Sequence, residues 1–142
     1  MIILDTNVIS ELMRPQPDPT VAAWIRSYDA QQFALTAINV AEIRRGISRL
    51  PHGKRRDNLE QNFDQFLQDA FGERIWAFDE AAANLYGTLA ARREEAGLSV
   101  DPVDLMIAAI AKYHRAAIAT RNTNDFSGLG IKLINPREAD AS

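Results

Sequence analysis

The sequence predicts an α/β fold in three layers, with a mostly parallel five-stranded sheet flanked by helices. Two observations predict it. Short apolar runs of strand length alternate with longer stretches of helical periodicity, a pattern typical of consecutive βαβ units. The first run, Met1–Leu4, is apolar throughout, as expected for a strand that is covered on both faces of a parallel sheet.

Length and composition predict one domain over residues 1–142. The chain is 46% hydrophobic, and single domains are commonly about 100 to 150 residues long. It contains no cysteine, and no basic segment precedes the first strand, which argues against a signal peptide and favours the cytoplasm. No apolar run approaches the roughly 20 residues of a membrane span, so we expect no membrane contact.

The first part of the chain is predicted to contain one strand and two helices. Asn7 can cap a short helix that follows the first strand and runs through Met13. The proline-rich stretch 15–19 ends this helix. Asp18, followed by a proline, can start a second helix that runs to about Tyr28.

A second strand and a third helix come next. Phe33–Leu35 is a short apolar run that ends at Thr36, a residue type that caps helices well. The helix predicted from about Ala37 to Leu50 carries an apolar stripe at helical spacing, formed by Val40, Ile43, Ile47 and Leu50. Gly46 lies in this helix, where glycine lowers stability; room for a ligand or close helix packing could explain it.

A turn at residues 51–53 separates this helix from the next. Asp57 and Glu60 have the spacing of a capping box, which predicts a helix from there to near Gly72. Arg74–Phe78 is predicted to be the third strand, and Asp79 to cap a long helix after it.

The last part of the chain repeats the alternation. Asp101 and Pro102 can start a nearly all-apolar helix, Val103–Tyr113. Ala116–Thr120 is predicted to be the fourth strand and Ile131–Ile134 the fifth. Strands that alternate with helices in this way favour a parallel sheet.

Four acidic residues fall where elements of one sheet edge should meet. Asp5 directly follows the first strand, and Glu42 lies about two turns into the helix after the second. Asp104 is in the first turn of the apolar helix, and Asp125 closes the loop after the fourth strand. Because strand ends and the helix starts that follow them share one edge, we expect these carboxylates to converge.

Converging carboxylates repel one another and are costly to keep ionised away from water. A divalent cation would remove that cost. Oxygen ligands alone, with no cysteine and no suitable histidine pair, favour Mg²⁺ or Mn²⁺ over Zn²⁺. We therefore predict a metal site of Asp5, Glu42 and Asp104, with Asp125 as a further candidate catalytic acid.

Each acid also has a purely structural explanation. Asp104 lies three residues after the predicted cap Asp101, and the helix dipole favours an acid there by roughly 0.3 to 1 kcal/mol. Glu42 could be a solvated helix residue, and Asp125 is typical of a turn. Asp5 has the weakest such explanation, because strand ends usually continue into Gly, Asn or Ser turns.

Candidate ligands for phosphate lie near these acids in the sequence. Thr6 and Asn7 offer a hydroxyl and an amide beside Asp5, although both are also ordinary capping residues. Arg121 follows the fourth strand and could either face a phosphate or form a salt bridge.

The basic residues are concentrated in one segment. The net charge of −3 argues against nucleic-acid binding by bulk charge. Yet six of the 16 Lys and Arg residues occupy the 13 positions from Arg44 to Arg56, with no acid among them. Arg44 and Arg45 could rim the acidic pocket, and the segment could bind a phosphate backbone, bind an acidic protein tail, or be a solvated helix end.

Four ordered motifs carry a resemblance to a known family. They are Ile2–Ser10 (IILDTNVIS), Val40–Gly46 (VAEIRRG), Asp104–Ala109 (DLMIAA), and Ala119–Asn122 (ATRN) continuing through Asp125-Phe126 to Asn135-Pro136. In this order, and over nearly the whole chain, they resemble the PIN-domain ribonucleases of the VapC toxin type, close to the FitB branch.

This resemblance implies an endoribonuclease toxin of a type II toxin–antitoxin system that needs Mg²⁺ or Mn²⁺ to hydrolyse RNA phosphodiesters. It implies a cognate antitoxin as partner, a small VapB-like DNA-binding protein whose tail covers the acidic pocket. The family commonly forms homodimers, and hetero-oligomers with the antitoxin. By position, Asp5, Glu42 and Asp104 match the three principal acids of the family.

The chain departs from the family pattern at one position. Where some relatives place an Asp after the Thr-Arg pair, this chain has Asn122. The resemblance therefore leaves open whether Asp125, Asn122 or water completes the metal shell.

Two other functions are compatible with grouped acids. A phosphoacceptor receiver domain also binds Mg²⁺ at strand ends, but it predicts paired acids after the first strand, where Asp5 stands alone. A noncatalytic partner-binding domain would use its acids only as helix caps. Replacement of Asp5 or Asp104 by alanine would then leave every activity unchanged.

Overall fold

The computed structural model describes residues 1–138, which form a five-stranded sheet with helices on both faces. The strands are β1 (Ile2–Leu4), β2 (Phe33–Thr36), β3 (Ile75–Trp76), β4 (Ala117–Ala119) and β5 (Leu133–Ile134). The helices are α1 (Thr6–Leu12), α2 (Pro19–Arg26), α3 (Ala37–Ser48), α4 (Lys54–Phe66), α5 (Glu80–Glu95) and α6 (Pro102–His114). The predicted three-layer α/β fold is confirmed.

Strand β1 lies at the centre of the sheet. The order is β3-β2-β1-β4-β5, and every neighbouring pair is parallel. Ile3 aligns with Ala34 of β2 on one side and with Ile118 of β4 on the other. The strand order therefore reverses between β1 and β4, and ligands of open α/β sheets bind at the carboxyl ends of strands at such a point.

Two hydrophobic cores cover the sheet, one on each face. Ile2 and Leu4 pack in the core beneath α1 to α4, whereas Ile3 packs in the core beneath α5 and α6. This alternation follows from the two-residue period of a strand. Because both faces of β1 are buried, none of its positions tolerates a polar side chain, which explains the uninterrupted apolar run at the start of the sequence.

The helix caps follow the sequence in four of six cases. In each, a side-chain oxygen accepts a backbone N–H of the first turn, which is the usual way to satisfy the free donors of a helix start. The four predicted caps that are confirmed are Asp18 of α2, Thr36 of α3, Asp79 of α5 and Asp101 of α6.

Two predicted helix starts are wrong. Helix α1 is capped by Asp5 rather than Asn7, because Asp5 is extended and its side chain accepts the Thr6 N–H. Helix α4 begins at Lys54 rather than at Asp57, and no side chain caps it. Asp57 lies in the first turn of α4, where its negative charge interacts favourably with the positive end of the helix dipole.

The third strand is shorter than predicted. Only Ile75–Trp76 pairs with β2, although the prediction covered Arg74–Phe78. Phe78 leaves the ladder and packs edge-on to Tyr86, with ring centroids 6.3 Å apart. Packing on α5 therefore competes with the sheet for this segment.

Within residues 1–138, no helix combines the length and the apolar character that a membrane crossing requires.

Candidate active site

The predicted acids lie at the reversal point of the sheet. Asp5 directly follows β1, and Thr120 directly follows the neighbouring strand β4. The Asp5 N–H donates to the Ala119 carbonyl at 2.9 Å, and the Thr120 hydroxyl donates to Oδ2 of Asp5 at 2.8 Å. The carboxylate is therefore tied to both central strands.

The Asp5 side chain is only 6% exposed, and donors surround it. Oδ1 accepts the Thr6 N–H at 2.9 Å and the Asn39 amide at 3.5 Å. Oδ2 accepts the Asn7 amide at 3.2 Å in addition to the Thr120 hydroxyl. Since a carboxylate has about four acceptor sites, this arrangement fixes the orientation of Asp5.

The pKa of Asp5 is raised above its ordinary value. Burial is the main cause, because it disfavours the charged form. The hydrogen bonds from Thr120, Thr6 and Asn7 lower the pKa, whereas the nearby charge of Asp125 raises it. Burial and like charge together outweigh the bonds.

Asp104 lies in the first turn of α6, half-buried among other acids. Burial, together with the negative charges of four further acids, raises the pKa of Asp104 to about 7. In decreasing order of effect, those acids are Asp101, Asp5, Asp125 and Glu42. The structure thus brings Asp5, Glu42, Asp104 and Asp125 into one electrostatic field, and it adds Asp101, which the sequence identified only as a cap.

The capping explanation for Asp104 does not describe what its side chain does. The cap of α6 is Asp101, whose carboxylate accepts the N–H groups of Val103 and Asp104. Among the hydrogen bonds within residues 1–138, none involves the Asp104 carboxylate. Its oxygen atoms are therefore available to a ligand.

Glu42 is joined to α1 rather than solvated. The Thr6 hydroxyl donates to Oε1 of Glu42 at 2.6 Å and accepts the Asn39 amide at 3.2 Å. Thr6 therefore links the acid of α3 to the residue beside Asp5. The alternative that Glu42 is an isolated surface residue is not what the structure shows.

Asn39 is a central residue of the site that sequence reasoning missed. It is fully buried, its carbonyl accepts both the N–H and the hydroxyl of Thr36, and its amide donates to Thr6 and Asp5. A signal existed, because Thr36 and Asn39 have the three-residue spacing of a capping box. Thr120 was also missed, and a lone threonine at a strand end gives no comparable signal.

The side chains of Asn7 and Thr6 are half-buried and form hydrogen bonds within the protein. The Asn7 amide donates to Asp5 and Thr120, and its carbonyl accepts the Arg121 N–H at 3.1 Å. The N–H of Asn122 donates to the Thr120 hydroxyl at 3.0 Å, which leaves the Asn122 side chain exposed. A role for these residues as ligands of a phosphate stays a prediction.

The two arginines of α3 point to different surroundings. Arg44 pairs with Asp64 of α4 at 2.6 Å, and its guanidinium lies 4.8 Å from the centre of the Phe63 ring. Arg45 is exposed one turn after Glu42, and Arg121 is exposed beside Asn7. Arg44 is therefore engaged in helix packing, whereas Arg45 and Arg121 form no ion pair among residues 1–138.

A groove of 450 Å³ extends from Thr6 and Glu42 between α1, α3 and α4. Gly46 forms part of its wall, and a Cβ atom added there would meet no other atom within 4 Å. Close helix packing therefore does not explain this glycine, and room for a ligand beside Glu42 stays a prediction. Most other wall residues are apolar, among them Met13, Ile43, Ile47, Leu50 and Leu59.

The donor set suits a hard divalent cation. All the grouped side chains offer oxygen, and burial and neighbouring acids raise the pKa of both Asp5 and Asp104, so a cation would favour their ionised forms. Over residues 1–138, however, no three His, Cys, Asp or Glu side chains are gathered tightly enough to enclose an ion as they stand. The acids interact electrostatically, but they do not form a closed coordination shell around an ion.

Comparison with known proteins identifies the family. The family model described as PIN domain matches residues 2–132. The chain belongs to the PIN-domain family. The plasmid stability protein StbB of Pseudomonas syringae pv. tomato is 42% identical to this PIN-domain chain over 98% of the chain and 100% of StbB. The VapC ribonuclease Y4jK of Sinorhizobium fredii is 40% identical over 97% of the chain and 99% of its own length.

Solved structures agree with this family. FitAcB from Neisseria gonorrhoeae superimposes with a TM-score of 0.92 at 39% identity, covering 98% of the PIN-domain chain and 100% of the matched chain. VapBC2 from Rickettsia felis, bound to a DNA fragment from its promoter, gives a TM-score of 0.80 at 27% identity, with coverage of 95% and 98%. The chain is therefore a PIN-domain protein of the VapC toxin type.

Proposed function

We propose that this protein is an endoribonuclease that uses Mg²⁺ or Mn²⁺ and acts as the toxin of a type II toxin–antitoxin pair. The observation that carries the proposal is the grouping of Asp5, Glu42 and Asp104, with Asp125 nearby, where the strand order reverses. The relative named VapC ribonuclease Y4jK, 40% identical, supports RNA as the substrate.

Asp5 and Asp104 would hold the metal ion, and Glu42 would assist. Mg²⁺ usually binds one or two carboxylates together with water and substrate phosphate, so an open set of acids is suitable for it. When bound, the ion would polarise the scissile phosphate, lower the pKa of a water molecule and stabilise the leaving oxygen. Asp125, Asn122 or water would complete the shell.

The protein side chains supply position and charge. Four hydrogen bonds hold Asp5 in one orientation, so it needs little reorganisation when a ligand arrives. Without a bound ion, the pKa of Asp104 is about 7, so a cation that binds there near neutral pH would displace a proton. The nucleophile would be water, because this chemistry requires no side-chain nucleophile, and in-line attack would leave a 5′ phosphate.

Arg45 and Arg121 would contact the RNA backbone, and Thr6 and Asn7 would lie closest to the reacting phosphate. Single-stranded or loop RNA fits best, because splayed strands can reach a recessed site. The relatives and the structures named after toxin–antitoxin pairs support a VapB-like antitoxin as partner. A homodimer, a cytoplasmic location and a single domain over residues 1–142 belong to the same proposal.

The decisive experiment compares Asp5→Asn with the exposed acid variant Asp69→Asn on a labelled single-stranded RNA. Asp5→Asn should abolish metal-dependent cleavage while the melting temperature shows that the fold survives. Asp69→Asn should cleave like the wild type. Full activity of Asp5→Asn, or cleavage that persists in EDTA, would refute the proposal. If Mg²⁺ does not raise the Tm of the wild-type protein, the noncatalytic alternative is favoured.

A further inference from the structure

A second cavity lies at the opposite edge of the sheet from the acids. It has a volume of 590 Å³ and is lined by the starts of β1 and β4 and by the end of α6. That volume is within the range of about 300 to 1,000 Å³ that is usual for ligand pockets. Asp104 and Arg115 mark the two ends of α6 and lie roughly 16 Å apart along it, so the cavity is separate from the acidic pocket.

The charge of this cavity is wholly positive. Lys112, Arg115 and Lys132 line it, and its lining includes no Asp or Glu. None of the three takes part in an ion pair within residues 1–138. Since the chain carries a net charge of −3, this local excess does not reflect a basic protein.

Lys112 is held in place by the protein. Its ammonium donates to the carbonyls of Leu129 and Gly130 at 3.4 and 3.2 Å. Those bonds account for part of its donor capacity, because an ammonium has three donors and a full charge. Arg115 and Lys132 are exposed beside it.

Arg115 occupies a backbone conformation that favours glycine. Its φ is 55°, and it is the only residue other than glycine with a positive φ within residues 1–138. It ends α6 with the hydrogen bond from the Ala116 N–H to the Ala111 carbonyl at 2.9 Å, a closure in which glycine is the common residue. An arginine kept at a strained position points to a use for its side chain.

We propose that this cavity binds the phosphate groups of a nucleotide ligand. Three cations that form no ion pair with any described residue suit two or more phosphate groups, and Tyr28, Ile2 and Ile131 provide an apolar wall for the rest of the ligand. A free nucleoside triphosphate and an RNA strand carry the same phosphate chemistry. The RNA source rests on the function proposed above, and the free nucleotide source does not.

The test is calorimetric titration of the whole protein in EDTA with ATP and with a short single-stranded RNA. Without divalent metal, binding is measured apart from cleavage. Wild-type protein should bind at least one of the two. Lys132→Gln and Arg115→Gly should each weaken that binding about tenfold and lower its salt dependence by about one phosphate contact.

Arg115→Gly also separates ligand binding from folding. Glycine relieves the strained φ, so its Tm should equal or exceed that of the wild type while binding is lost. Arg26→Gln, which removes an exposed arginine at the end of α2, should bind like the wild type. Loss of binding only in variants that also melt earlier would overturn the proposal.

The two probes and the cleavage assay distinguish the two proposals. Binding of ATP that depends on Lys132 and Arg115 supports a free nucleotide, and binding of RNA alone supports the strand. Binding of neither, or binding that both variants retain, overturns the inference even if RNA is cleaved. If the wild type cleaves no RNA but binds ATP in this way, the proposed nuclease function fails and this site stands.

Discussion

The acids Asp5 and Asp104 share one edge of the sheet but have different environments. Asp5 is buried and accepts four hydrogen bonds, whereas the Asp104 carboxylate has none within residues 1–138 and is surrounded by like charge. Such contrasts allow two carboxylates to take different roles at one pH. Asp5 is suited to hold a ligand, and Asp104 to exchange a proton or gain a cation.

The raised pKa of Asp104 has a consequence for stability in EDTA. Its pKa is about 7 in the folded chain against an ordinary value of 3.8, so folding favours the protonated form. The stability that this provides is complete below pH 3.8 and is lost as the pH rises towards 7. The raised pKa of Asp5 acts in the same direction.

We therefore expect the melting temperature in EDTA to fall across this range, and Asp104→Asn to flatten the fall. Added Mg²⁺ should raise the Tm of the wild type most at the upper end of the range, where Asp104 is ionised. If the Tm of Asp104→Asn changes with pH as the Tm of the wild type does, the raised pKa of Asp104 is contradicted.

Asn39 should matter for stability beyond its size. Its side chain is fully buried and joins Thr36 to Thr6 and Asp5. Asn39→Ala leaves these partners unsatisfied, so we expect a loss of about 1 to 3 kcal/mol in urea unfolding. Asn58→Ala on the exposed face of α4 should change stability by less than about 0.5 kcal/mol, and an equal loss in both variants would count against the role of Asn39.

Asp5, Thr120 and Asn7 show why the site could be predicted only in part from the sequence. Asp5 could be found because it ends a buried strand, and that position is local information. The bond from Thr120 to Asp5 joins residues 115 positions apart, and no periodicity reports such a contact. Asn7 was misassigned as a helix cap because capping residues and residues that support an acid are of the same types.

Among the elements, α3 contributes most to the site. Asn39, Glu42 and Gly46 recur at spacings of three and four, so they share one face of the helix. That face holds Asp5 in place, presents a second acid and leaves the groove open. The sequence located this helix well, because its Thr36 cap and the buried Ile43 and Ile47 are local signals.

Gly46→Ala should stabilise α3. Alanine is favoured over glycine in a helix by roughly 0.5 to 1 kcal/mol, and an added Cβ meets no atom within 4 Å. Gly87→Ala in α5 is the matched control, because its Cβ would also be free of contacts. Both should unfold at higher urea concentration.

Only a larger residue at position 46 should affect cleavage. Gly46→Leu would fill the groove beside Glu42, so we expect slower RNA cleavage with little change in stability, measured by single-turnover kinetics. Gly87→Leu should cleave normally. Unchanged kinetics of Gly46→Leu would show that the substrate does not use the groove.

Arg44 and Arg45 should separate helix packing from RNA binding. Arg44→Ala removes the ion pair with Asp64 and the contact with Phe63, and we expect it to lower stability by up to about 1 kcal/mol without slowing cleavage. Arg45→Ala should keep its stability but bind RNA less tightly, with a lower salt dependence. Weaker RNA binding by Arg44→Ala, with unchanged binding by Arg45→Ala, would instead place the RNA near α4.

At the scale of the whole molecule, the alternation of strands and helices was enough to predict a parallel sheet. The order β3-β2-β1-β4-β5 was beyond the sequence, because it depends on which side of β1 the chain reaches after α6. Strand lengths were also uncertain. Phe78 was predicted to lie in β3, and its packing against Tyr86 decides otherwise.

An ion pair joins the end of the described chain to α1. Glu11 is only 7% exposed and pairs with Arg137 and Arg14. Arg137→Ala leaves a buried carboxylate with one weaker partner, so we expect a loss of about 1 to 3 kcal/mol in urea unfolding. Arg26→Ala, at the exposed end of α2, should be nearly neutral, and a neutral Arg137→Ala would show that Arg14 alone suffices.

Because β1 lies at the centre of the sheet, the site at its end can form only after the neighbouring strands have been synthesised. Its partner β4 and the residue Thr120 are synthesised later, since Thr120 lies 115 positions after Asp5 and synthesis proceeds at about 5 to 20 residues per second. Until then Asp5 has neither its neighbouring strand nor its fixed orientation. A chain built in this order acquires its complete acidic site only after β4 has been synthesised.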